Sequence, residues 1–182
     1  MSHDLEAPSE WVRRWARLVR PGGRVLDVAC GAGRHARFLA GLGLRVLAVD
    51  RDPGALAGVA GVELRVADLE GGPWPLGDER FDGVVVTNYL HRPLFPRLVE
   101  ALAPGGVLIY ETFALGNERY GRPSNPDFLL QPNELLERAR ALRPVAFEQG
   151  VVARPKPAVV QRLCAVRESE WPPDLERDRI SA

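Results

Sequence analysis

The stretch Val25-Leu26-Asp27-Val28-Ala29-Cys30-Gly31-Ala32-Gly33-Arg34-His35 decides how this chain folds. Its first four residues are apolar but for one acid, as expected of a strand buried on both faces. The next five are small and include two glycines, which let the backbone turn tightly and let a ligand approach it. From Arg34 to Ala40 the pattern is helical, so a strand feeds a glycine turn that feeds a helix. Outward from this unit the alternation repeats: a strand at Arg45–Val49, a helix after Pro53, a strand at Val62–Val66 and a buried strand at Phe81–Val86. A helix from Pro93 to Leu102 is closed by Pro104-Gly105-Gly106, and Val107–Tyr110 is the next strand. Asn133–Leu142 reads as a helix with Pro132 suited to its first turn. Two last β-rich stretches, Val145–Val152 and Ala158–Val166, flank the short turn Ala153–Pro157 and imply an antiparallel hairpin. Near the start, Trp11, Trp15, Leu18 and Val19 form one apolar stripe on a helix over Ser9–Val19. The expected fold is therefore α/β, a doubly wound, seven-stranded and mostly parallel sheet with an antiparallel edge hairpin.

A length of 182 residues suits one domain over 1–182, with an N-terminal helix within 1–20 and a charged, proline-bearing tail at 170–182 that is expected to be mobile. The 46% apolar and 26% charged fractions are globular values. No apolar run reaches the roughly 18 residues of a membrane span, and Met1–Glu10 lacks the basic and apolar regions of a secretory signal. Two cysteines, Cys30 and Cys164, make neither a disulfide framework nor a metal-ligand spacing, so no metal is expected and a cytoplasmic location fits. Twenty-four basic residues balance twenty-four acidic ones, which leaves no general footprint for nucleic acid. Lys156 is the one lysine among them; the arginines are scattered along the chain, as compositional bias of the genome would leave them.

The glycine turn needs a ligand of defined charge. Taken alone, Gly31-x-Gly33-x-x-Ala36 also satisfies a dinucleotide fingerprint. A pyrophosphate on the helix N-terminus would be repelled by Asp27 in the strand feeding the loop, whereas S-adenosylmethionine carries an ammonium and a sulfonium. Seventeen residues after Gly33, Asp50 ends the second strand, where a carboxylate accepts hydrogen bonds from both ribose hydroxyls. Asp68 follows the third strand and suits either the adenine amino group or a local turn.

Three acids at the carboxyl ends of three successive strands, with the glycine loop, resemble the cofactor site of the class I S-adenosylmethionine-dependent methyltransferases. The resemblance extends through Trp74-Pro75-Leu76, Arg80-Phe81-Asp82-Gly83-Val84 and Leu102-Ala103-Pro104-Gly105-Gly106-Val107-Leu108, and covers about residues 22–112. Ala29 departs from the family, which often has glycine there. The resemblance implies S-adenosylmethionine as cofactor, with Asp27 toward the methionine amino group, Gly31 and Gly33 at the backbone approach, Asp50 at the ribose and Asp68 at the adenine. The flanking residues Ala29, Arg51, Leu69 and Asn88 complete the implied cofactor contacts. At a second level, Cys30-Gly31-Ala32-Gly33-Arg34-His35 and the short chain are similar to the small methyltransferases associated with tellurite resistance.

The acceptor site should lie beyond the fourth strand, at Thr87-Asn88-Tyr89-Leu90-His91-Arg92. This stretch lacks the paired prolines of enzymes that methylate exocyclic amines or glutamine. Tyr89 suits a wall of the methyl pocket, and His91 suits a general base, an anion contact or a helix cap. Residues 113–132 form a long loop rich in aromatic residues and prolines, expected at the cofactor face and read as a lid offering Arg119, Tyr120 and Arg122; an ordered connector is the other reading. With Arg92 these arginines suggest a small, anionic acceptor. A non-catalytic S-adenosylmethionine-binding module and a nicotinamide-dependent oxidoreductase are the competing functions, the latter disfavoured by Asp27.

Overall fold

The computed structural model describes residues 7–168; the expected tail at 170–182 lies outside them. Helix α1 (Glu10–Trp15) starts at Ser9, whose hydroxyl accepts from the Trp11 and Val12 amides, and passes into a 3-10 turn at Ala16–Leu18. The predicted helix is thus cut short, because Val19 must turn extended (φ −67°, ψ 131°) to lead the chain into the sheet. The remaining elements are β1 (Arg24–Val28), α2 (Arg34–Gly41), β2 (Arg45–Asp50), α3 (Pro53–Leu56), β3 (Glu63–Val66), β4 (Phe81–Thr87), α4 (Phe95–Ala101), β5 (Leu102–Phe113), α5 (Glu134–Arg138), β6 (Arg143–Val152) and β7 (Ala158–Val166).

Seven strands form one sheet in the order β3-β2-β1-β4-β5-β7-β6. The first five of these neighbours pair in parallel, and β7 runs antiparallel to both β5 and β6. The expected hairpin therefore lies at one edge. Side chains alternate between two cores, since successive strand residues face opposite sides. Leu26, Leu47, Val84 and Leu108 pack on one face with Phe95, Leu98 and Leu135. Val25, Val46, Val85 and Ile109 pack on the other with Trp11, Trp15, Ala36 and Leu39. The order reverses between β1 and its neighbours β2 and β4, and the crevice outside the carboxyl ends at such a reversal is where open α/β sheets bind ligands.

Two further elements depart from the sequence reading. β5 runs through the Pro104-Gly105-Gly106 turn signal, with a register break opposite Phe81–Gly83 and with Gly105 and Gly106 bonded to Arg167 through the backbone. The helix expected at Asn133–Leu142 is only Glu134–Arg138: Asn133 is left-handed at φ 62°, which leaves Pro132 outside the helix. Among the described residues no helix is long and apolar enough to cross a membrane.

Candidate functional site

The glycine turn is built by left-handed backbone at three alternate residues, Ala29 (φ 51°), Gly31 (φ 52°) and Gly33 (φ 71°). A Cβ at Gly33 would lie 2.7 Å from the Val59 methyls, so glycine is required there for packing as well as for conformation. A Cβ at Gly31 would meet nothing within 4 Å, so the loop is open on that side. Ala29 adopts the same left-handed geometry with a Cβ, a conformation that costs an L-residue about 1–2 kcal/mol.

A cleft of about 400 Å³ opens at the carboxyl ends of β1, β2, β3 and β4. It is lined by seven of the residues expected from the sequence: Ala29, Asp50, Arg51, Asp68, Leu69, Asn88 and Tyr89. The Asp50 carboxylate accepts from the Gly31 amide at 2.8 Å and the Asp52 amide at 3.0 Å, which ties the glycine loop to the end of β2. Asp68 accepts from the Glu70 amide at 2.9 Å, the local turn that its residue type allows. Asn88 is left-handed at φ 54° and donates its amide to the Glu111 carbonyl, which holds it at the mouth of β4. The Tyr89 hydroxyl is buried with no hydrogen-bond partner among the described residues, and burial, with the Glu70 charge nearby, raises its pKa.

Asp27 does not line the cleft. It is 1% exposed, and neither carboxylate oxygen has a hydrogen-bond partner among the described residues. Burial pushes its pKa up to about 7, a rise that the Ala36 amide and the Arg34 charge only partly offset. A buried carboxylate in the strand feeding an open glycine loop, with only the Ala36 amide and the Arg34 charge in partial offset, fits a cationic ligand group and disfavours a pyrophosphate. The residues present therefore fit S-adenosylmethionine.

Several expected acceptor contacts are placed elsewhere. Past Leu90 the chain enters a 3-10 segment at Arg92–Leu94, and neither His91 nor Arg92 is among the residues lining the cleft. Arg92 donates Nε and Nη2 to the two Glu134 oxygens (2.7 and 3.0 Å) and bonds the Asp127 and Leu129 carbonyls, so its fork holds the chain itself. The 113–132 loop does reach the cleft, through Phe113, Pro123 and Phe128. Its exposed Arg119, Tyr120 and Arg122 do not line it. The reason is Asn117, 1% exposed, which donates to the Pro123 carbonyl and accepts from the Val159 amide, turning residues 118–122 outward.

A second cleft of about 650 Å³ adjoins the first, sharing Asn88 and Phe113 with it. It lies between α1 and the β6–β7 turn and includes Arg13, Arg34, Arg154, Lys156 and Arg162. Of these, Arg34 stands in the glycine-turn motif and Lys156 is the chain's one lysine; Arg13, Arg154 and Arg162 carry no signal in the sequence beyond the run Arg154-Pro155-Lys156 in the hairpin turn.

Residues 25–106 match the model of a methyltransferase domain. The chain is 34% identical over 110 residues to the protein-L-isoaspartate O-methyltransferase of Chlorobaculum tepidum, a match covering 54% of this chain and 49% of that protein. It is 32% identical over 159 residues to the trans-aconitate 2-methyltransferase of Methylobacterium nodulans, covering 81% of this chain and 54% of the relative. The chain thus spans about half the length of these curated relatives. In fold it is similar to TehB from Haemophilus influenzae, with a TM-score of 0.75 at 18% identity over 88% of this chain and 63% of that one. The strand order, the glycine turn and the domain match over residues 25–106 agree: the chain carries a methyltransferase domain with the class I methyltransferase fold.

Proposed function

We propose that this chain transfers a methyl group from S-adenosylmethionine to a small, anionic acceptor. The observation that carries the reading is the first cleft, where Asp50 and Asp68 stand at successive strand ends above the buried, unpartnered Asp27. In this reading Asp50 binds the ribose hydroxyls, Asp68 and Leu69 the adenine, and Arg51 flanks the nucleoside. Asp27 faces the charge of the methionine amino group across the open side of Gly31, and Ala29 and Gly33 shape the turn.

When bound, the cofactor supplies a methyl carbon already activated by its sulfonium, so the protein's main task is alignment. Tyr89 and Asn88 are placed to do this at the end of β4. A Tyr89 hydroxyl held protonated by burial donates a hydrogen bond; it does not take a proton. With His91 not among the residues lining the cleft, the reading favours an acceptor that brings its own lone pair, such as a carboxylate or thiolate, which requires no general base. Trans-aconitate, named for one relative, is of this kind.

Calorimetry against S-adenosylmethionine and NAD, followed by a screen for released S-adenosylhomocysteine across small carboxylates, oxyanions and thiols with tRNA and protein lysate as competitors, tests the proposal. Selective S-adenosylmethionine binding with turnover of a small anion is expected. NAD binding as tight or tighter sinks the cofactor assignment, and methylation of tRNA or protein alone sinks the small acceptor. Cofactor binding without turnover of any acceptor favours a binding module.

A further inference from the structure

The second cleft gathers charge that the chain as a whole balances. Among the described residues its lining holds five cationic side chains, Arg13, Arg34, Arg154, Lys156 and Arg162, against two carboxylates, Glu10 and Glu111. Glu111 is 8% exposed and already ion-paired with Arg162, which also reaches Glu148. Arg13, Arg154 and Lys156 form no ion pair with any of the described residues. These three come from opposite walls, Arg13 from α1 and the other two from the turn between β6 and β7. Like charges held around one concave space repel each other unless an anion enters, and low-dielectric walls strengthen the field that draws one in.

The cleft also adjoins the cofactor site. Asn88 and Phe113 line both spaces, so a molecule in the second cleft lies beside the end of β4, where the methyl group is directed in the reading above. We propose that the second cleft is the acceptor site and that Arg13, Arg154 and Lys156 bind anionic groups of an acceptor carrying more than one carboxylate or oxyanion. This rests on the methyl-transfer reading. Cations on two walls of a space of about 650 Å³ match a molecule with separated negative groups better than a single small ion. Arginine forks recognise carboxylates bidentately, while lysine supplies a point charge. The methionine carboxylate of the cofactor shares this chemistry, and the test separates the two sources.

Lys156 is the only lysine in the chain, so acylation of its amine by acetyl N-hydroxysuccinimide, read by peptide mass spectrometry, reports on the cleft at one side chain. The protein is labelled with S-adenosylhomocysteine, citrate or trans-aconitate present, singly and in pairs, at ionic strength matched with sodium chloride. Citrate or trans-aconitate, with S-adenosylhomocysteine present, should slow Lys156 acylation by about fivefold at concentrations well above the dissociation constant. The protection should weaken in Arg13→Gln and Arg154→Gln, with melting temperature as the fold control. Protection by S-adenosylhomocysteine alone would assign the cleft to the cofactor carboxylate and overturn the proposal. Protection by neither polyanion, or protection unchanged in both variants, overturns it as well. Polyanion protection in a protein that calorimetry shows not to bind S-adenosylhomocysteine would instead overturn the methyl-transfer reading, and with it the acceptor role, while leaving an anion site in place.

Discussion

The Nε2 of His35 accepts a hydrogen bond from the Ser9 amide at 3.1 Å, and its Nδ1 lies 3.2 Å from the Thr87 hydroxyl oxygen. A ring nitrogen that accepts carries no proton, so the single proton sits on Nδ1 and points to Thr87. The ring is 2% exposed, and burial, reinforced by the Arg34 charge, lowers its pKa to about 3. One neutral imidazole thus joins the N-terminal segment, the first turn of α2 and the end of β4, one residue before Asn88.

This clamp has a pH signature. Between an ordinary histidine pKa of 6.5 and the folded value of about 3, the unfolded chain holds the extra proton. The contribution of His35 is therefore fully present above 6.5 and is lost as pH falls toward 3, at up to about 1.4 kcal/mol per pH unit. Asp27 runs the other way: with its pKa raised from 3.8 to about 7, the folded state holds the extra proton, and stability is lost as pH rises through that range. The two slopes oppose each other from about pH 4 to 6.5. Urea denaturation should show the stability margin of wild type over His35→Gln shrinking as pH falls. Asp27→Asn should gain on wild type as pH rises. Curves that stay parallel for both variants would mean that neither group shifts as described.

Ala29 sits left-handed at φ 51°, where the chain gains nothing from its methyl group in conformation. Ala29→Gly should relieve strain and stabilise the protein by about 1 kcal/mol, less what the more flexible unfolded chain takes back. For a chain of this size that is a rise in melting temperature of about 2–4 °C. A lower melting temperature would show that the methyl's packing beside the cleft outweighs the strain.

Arg92 and Glu134 form the anchor of the loop after β5. Glu134 is 6% exposed; burial pushes its pKa up, but Arg92, the Gln131 amide and Arg138 outweigh it and hold the carboxyl at about 2. That stabilisation is present above the ordinary value of 4.5 and is lost as pH falls through 2. Glu134→Gln leaves the partly exposed Arg92 guanidinium without its counter-charge and should cost about 1.5–3 kcal/mol, the range for hydrogen bonds to a charged group, with faster hydrogen exchange at residues 126–131. Arg92→Lys should not restore protection, since an ammonium cannot span both oxygens and two carbonyls. Unchanged exchange in Glu134→Gln would show that the loop is held by Asn117 alone.

The sequence made the parallel sheet and its ligand end readable because strand periodicity and the glycine turn are local signals. Asp50, Asp68 and Tyr89 line the cleft for the same reason: the strands end at one edge of the sheet, so strand ends locate the cleft. Arg92, Arg119 and Arg122 do not line that cleft, because residue type marks a cation without saying what it pairs with. The Arg92 partner stands 42 residues away in α5, and the arginines of the loop are turned outward by the interior hydrogen bonds of Asn117. The second cleft was invisible for a related reason. Arg13 and Lys156 are brought together only when α1 and the hairpin turn fold over the same strand ends.

The Asp27 carboxyl is pushed up to about 7 by burial, against the partial offset of the Ala36 amide and the Arg34 charge, and so is partly protonated at neutral pH in the ligand-free protein. A cationic amino group favours the ionised form, so binding must expel the proton whenever the pH lies below that value. The dissociation constant of S-adenosylmethionine should therefore rise as pH falls below 7, by up to about tenfold per unit, and level off above it. Calorimetry between pH 5 and 8 in two buffers of different ionisation heat reads both effects. Below pH 7 the apparent binding enthalpy should differ between the buffers, because a proton is released. In Asp27→Asn both the slope and the buffer dependence should disappear, and affinity at pH 8 should fall by roughly ten- to a hundredfold, the range for loss of a charged hydrogen bond of about 1.5–3 kcal/mol. If the variant binds as tightly as wild type at pH 8, Asp27 is a buried structural acid and the cation contact must be sought at another residue of the glycine turn.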